Sequence, residues 1–131
     1  MLDIVIVAML SLAAIAKAVM DTLMFHYSTS IFKKRNRLFW DPAKSWRNKY
    51  ALGKPEQGAK FFLSTTLLVG ITDAWHLFQM IKWALVFGAV YLSMLTPNNL
   101  LHQLYLVLIA RISFGLFFTL FYKHLLLKRK S

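Results

Sequence analysis

The chain has 131 residues, no cysteine and a formal net charge of +11. The lack of cysteine excludes disulfides, thiolate metal sites and cysteine nucleophiles. The charge invites nucleic-acid binding, but 58% of the residues are hydrophobic, mean hydropathy is +0.52, and the Lys and Arg residues flank apolar segments. That is the charge pattern of a membrane protein, so nucleic acid is not an expected partner.

Residues 4–16, 61–72, 83–110 and 112–122 contain no Asp, Glu, Lys or Arg. A water-soluble fold needs charged faces on such segments, whereas a bilayer-embedded one avoids them. The expected fold is therefore all-α: one polytopic membrane domain over 1–131, with three transmembrane helices and a short interfacial helix.

The first span covers about 2–25, long enough to cross the hydrocarbon. Its start, Met1-Leu2-Asp3, lacks a basic region, and Lys17 and Asp21 interrupt it, so a retained span is expected rather than a cleaved leader. A basic loop follows over 28–60. Its 31–60 stretch carries nine of the sixteen Lys and Arg residues, among them Lys33, Lys34, Arg35 and Arg37, interleaved with Trp40, Trp46 and Tyr50. Asp41 as cap, Pro42 at the first helical position, and Gly53 and Pro55 as stop predict a short helix over about 42–51 in the headgroup layer.

Residues 61–95 form an apolar stretch broken by Asp73, His76, Gln79 and Lys82. It lacks Gly or Pro near 76–82, so the spacing predicts one long helix of about 52 Å, which must tilt or project from a hydrocarbon core of about 30 Å. Thr96-Pro97-Asn98-Asn99 is a turn, and the last span covers about 100–122, followed by a basic tail over 123–131. Three spans place both basic segments on one side. The charge rule then puts the N-terminus outside, with the loop and the C-terminus cytoplasmic, in a multi-pass cell-membrane protein.

Depth along the helices brings Asp21, Asp73 and His76 to about 28–33 Å from the outer surface, with His26 a little beyond, so that all four reach the cytoplasmic edge of the hydrocarbon. Two carboxylates and two imidazoles are ligand types for a divalent metal such as zinc or non-haem iron, although no HExxH pattern is present. The same residues suit a proton relay or a general acid/base site centred on Asp73 and His76, which share a helical face. A purely structural alternative pairs Asp73 with His76 and Lys17 with Asp21.

Lys82 and Arg111 fall near mid-bilayer, about 18–20 Å deep, where a cation needs a partner or water. They point to a homo-oligomer or to membership in a larger membrane complex. Three functional readings follow. The first is a small membrane subunit contacting anionic lipids or partners through Arg111, Lys82, Lys33, Lys34, Arg35, Arg37, Trp40 and Trp46. The second is an embedded enzyme acting on a lipid or lipid-linked substrate through Asp73 and His76. The third is proton or ion conduction by an oligomer.

Overall fold

The computed structural model describes residues 1–97 and 99–128, and these are all-helical apart from loops and two isolated bridges. Asn98 of the expected turn and Arg129 and Lys130 of the expected basic tail lie outside the described residues. Five α-helices follow in order: α1 (Leu2–His26), α2 (Arg37–Trp40), α3 (Pro42–Ser45), α4 (Ala74–Ser93) and α5 (Leu100–Thr119). A 3₁₀ turn, Trp46–Lys49, prolongs α3, and a π-helical turn, Leu120–Leu125, prolongs α5.

α1 packs along both α4 and α5 and joins them. Its sequence explains why it takes the central place. Ala13, Ala14, Ala16 and Ala18 are all buried, and small side chains let neighbouring backbones approach closely. Gly88 serves the same end on α4, where an added Cβ would come within 2.5 Å of the Met9 Cε atom. Ser11 completes the α1–α5 contact, its hydroxyl lying 2.6 Å from that of Ser113.

Two apolar clusters show the up–down–up order of the long helices. Ile6, Ala89 and Leu106 pack together where α1 begins, α4 ends and α5 begins, which we call the turn end. Ala18, Val19, Leu23, Phe32, Ala74 and Leu126 pack at the opposite, loop end. The loop and the chain's last described residues are tied there: Ile31 N–H donates to the Leu126 carbonyl at 3.0 Å and Lys128 N–H to that of Thr29 at 2.9 Å.

Two helical segments, Leu2–Thr29 and Leu100–Leu125, are long and apolar enough to cross a membrane. The expected long helix over 61–95 is absent. Residues 61–73 form turns with a 3₁₀ segment at Val69–Ile71, and α4 begins only at Ala74. Side chains cause the break. The Asp73 carboxylate, on extended backbone, accepts the His76 N–H at 3.0 Å and so caps the helix. Ser64 donates its hydroxyl to the Lys49 carbonyl at 2.7 Å, Thr72 to that of Val69 at 2.7 Å, and Leu63 adopts φ +58. Hydroxyls that bond nearby backbone compete with helix formation, and a left-handed leucine cannot sit inside one. What remains is a 20-residue helix, about 30 Å long, which removes the excess length.

The interfacial segment follows its local signals. Asp41 accepts the Ala43 N–H at 3.1 Å, with Pro42 in the first helical position. The helix ends earlier than the expected 51, at Lys49, where Tyr50 turns extended. Leu52 and Gly53 then both take positive φ, 53° and 68°.

Candidate functional site

The loop end holds nearly all the residues singled out above, in two separate constellations. The first is Asp73 with His76. Asp73 is 2% exposed, and its second carboxylate oxygen lies 2.7 Å from the His76 Nδ1 atom. A carboxylate there requires Nδ1 to carry a hydrogen, so that in the neutral ring Nε2 is the acceptor. His76 and Asp73 border a cavity of about 260 Å³ walled by Met24, Pro42, Ser45, Trp46 and Trp75. Chemically, this is an oriented imidazole able to accept a proton from a group in a mostly apolar recess.

Asp21 and His26 do not join it. Asp21 is held by Lys17, one turn before it on α1, and the His26 ring packs on Tyr122 with centroids 5.5 Å apart. Among the described residues no three His, Asp or Glu side chains gather as a metal site would need. The expected four-residue metal centre of Asp21, His26, Asp73 and His76 does not form among the described residues. Equal depth places groups in one layer, while direction around the helix axis decides whether they meet.

The second constellation is a basic pocket of about 790 Å³ lined by Lys44, Arg47, Asn48, Tyr50 and Lys60, with Leu38 and Leu52 as apolar wall. Among the described residues no carboxylate lines it. The α3 segment separates the two recesses, with Pro42, Ser45 and Trp46 toward His76 and Ala43, Lys44, Arg47 and Asn48 toward the basic pocket. Asn48 links them: its amide donates to the Thr72 carbonyl at 2.6 Å and its oxygen accepts from Lys60 at 2.9 Å. Sequence reasoning missed Asn48, because an asparagine in a basic loop carries no signal of a contact 24 residues away.

The remaining candidates divide. Lys33, Lys34 and Arg35 are exposed on and beside the 3₁₀ turn Ile31–Lys34 and lie outside the pocket. Arg37 grips the buried Asp41 carboxylate through Nε at 3.1 Å and Nη2 at 2.9 Å, so it shapes the loop. Trp40 is half-buried: its ring stacks on Phe32, centroids 4.6 Å apart, and meets Phe78 at 6.1 Å. Trp46 is exposed and lies edge-on to Tyr50 at 6.4 Å, the pairing its spacing predicts. The Lys82 ammonium lies 4.3 Å from the Trp83 ring centroid, and Arg111 is exposed on α5. No family model, curated protein or solved structure matches the chain.

Proposed function

We propose that this chain is a three-span membrane protein whose cytoplasmic face binds anionic lipid headgroups through the Lys44–Arg47–Lys60 pocket. The observation that carries the reading is that pocket, three cations converging without a carboxylate. Its surroundings fit a membrane surface. Phe62, Leu67 and Ile71 in the irregular 61–73 segment are strongly exposed and uncharged, as is Leu52 beside the pocket. Apolar side chains next to a basic recess allow insertion below the headgroups while the cations meet phosphate. The α4 helix supports the third span by its length of 20 residues, and its packing along the apolar α1 helps to offset Gln79 and Lys82.

The lipid test uses the full chain in phosphatidylcholine nanodiscs doped with fluorescent phosphatidylglycerol. The Lys44→Ala/Arg47→Ala/Lys60→Ala variant is expected to lose roughly a hundredfold in preference for the anionic lipid, at about 1 kcal/mol per cation. Competition by free inorganic phosphate separates a headgroup site from a soluble-anion site. An unchanged lipid preference in the triple variant would sink the proposal.

Topology is tested separately. Because the chain has no cysteine, single cysteines report without background. Gln57→Cys is expected to react with an impermeant maleimide only from the cytoplasmic side of sealed cells or vesicles, and Leu100→Cys only from the other. Labelling of both from the same side rules out the three-span arrangement.

A further inference from the structure

Away from the helix ends, α1, α4 and α5 carry three cations, Lys17, Lys82 and Arg111, against one carboxylate, Asp21. Lys17 and Lys82 line one cavity of about 370 Å³, together with Trp83, Val86, Phe114 and Phe118. The Lys82 ammonium lies over the Trp83 ring, and that of Lys17 stands 6.0 Å from the Phe118 centroid while pairing with Asp21. Arg111 belongs to the same side of α5. At about 100° per residue it projects roughly 20° from Phe118 and 60° from Phe114. Its guanidinium bends toward the turn that carries them, since a Cβ added at Gly115 would meet Nη1 at 3.0 Å.

Among the described residues, neither Lys82 nor Arg111 has a carboxylate partner. An uncompensated cation inside a bilayer is costly, and an aromatic ring softens that cost without neutralising the charge. A lipid phosphate stays at the interface. Lys82 lies about 10 Å deeper than the Trp75 level, and Arg111 about 12 Å from the loop end of α5 at Thr119. A second copy does not supply the charge either. The chain's acidic residues are Asp3, Asp21, Asp41, Glu56 and Asp73. Asp21, Asp41 and Asp73 are already paired with Lys17, Arg37 and His76; Asp3 sits at the turn end beside His102, and Glu56 is in the loop.

We infer that the Lys17–Lys82–Arg111 groove receives a transmembrane helix of a different protein, one bearing an Asp or Glu near mid-membrane. The inference rests on α1, α4 and α5 crossing the bilayer. The carboxylate enters at the level of Lys82 and Arg111, while Trp83, Phe114 and Phe118 pack the partner's apolar side chains. Lys17 remains with Asp21, so the net excess available to the partner is the charge of Lys82 and Arg111.

The test uses the labelled full chain in phosphatidylcholine vesicles with synthetic leucine–alanine helices of membrane-spanning length carrying one central Glu, Gln or Lys. Energy transfer is expected to report at least tenfold stronger association of the Glu helix than of the Gln helix, and none for the Lys helix. Lys82→Leu and Arg111→Leu each reduce the Glu preference severalfold, and together they abolish it. Arg111→Lys retains part of it, which a packing role alone would not produce. Both side chains border lipid or cavity, so their loss does not hollow the core. Equal association of the Glu and Gln helices overturns the proposal, as does a Glu preference that survives the double variant. Self-association of the chain that disappears in Arg111→Leu overturns it in favour of a second copy. Aqueous labelling of Leu108→Cys overturns the membrane placement beneath it and is read independently of any helix association.

Discussion

Replacing Asp73 with alanine is expected to cost about 3 kcal/mol of stability. Two separate losses add up to that figure. The α4 cap disappears, typically worth about 1 kcal/mol. The charge-assisted bond to His76 goes as well, a class of interaction worth about 1.5–3 kcal/mol. Because the carboxylate is 2% exposed, no water stands ready to replace it. Asp73→Asn separates the two roles. The amide oxygen still accepts the His76 N–H, but the side chain no longer offers a carboxylate to Nδ1, so about half of the loss is expected. The damage then spreads in a defined direction. When the first turn of α4 frays, the Thr72 carbonyl moves, and with it the Asn48 amide that positions Lys60. Equilibrium unfolding in mixed micelles measures the first effect, and anionic-lipid preference measures the second. An alanine variant within about 0.5 kcal/mol of the parent would show that the cap is dispensable, an ordinary surface-scale result.

Residue chemistry shows how far this architecture was legible in advance. The bounds of α1 and α5, the Asp41–Pro42 helix start and the gathering of both basic segments at one end follow from local signals and apolar run lengths. The 61–73 segment did not follow, because hydropathy registers what is apolar and says nothing about whether it is helical. The useful signal lies in Asp73 itself: an Asp directly before an Ala-initiated helix is a cap. Within the candidate site, the Asp73–His76 and Lys17–Asp21 pairs obey i, i+3 and i, i+4 spacing and were within reach. The Asn48–Thr72 bond and the Trp40–Phe32–Phe78 stack were not, since each joins segments whose approach is decided only by tertiary packing. Arg37 and Asp41 are also four apart, a pairing the spacing allowed but charge-counting for the loop obscured.

Trp40 is where that tertiary packing is most exposed to test. Trp40→Ala is expected to cost about 3 kcal/mol, the lower end of the range for losing a large aromatic, since the ring is only partly buried. Its loss uncovers Phe32, which is 7% exposed, and removes the contact to Phe78 that holds the loop against α4. Trp46→Ala is the matched control. It deletes the same side chain from the same loop, yet Trp46 is 41% exposed, so less than about 1 kcal/mol is expected. Trp40→Phe keeps a ring in the stack and is expected to recover most of the difference. Unfolding equilibria rank the three variants, and tryptic cleavage at the loop lysines reads the local opening. The ranking matters for function because, among the described residues, Lys44, Arg47 and Lys60 make no ion pair with the long helices. Lys44 and Arg47 are carried by the helical segment that follows α2, and the stack fixes where α2 lies. A detached loop keeps every cation but not their convergence, so Trp40→Ala should lower anionic-lipid preference with the net charge unchanged. If Trp40→Ala and Trp46→Ala lower it equally, the loop binds membranes by charge alone and the pocket's shape contributes nothing.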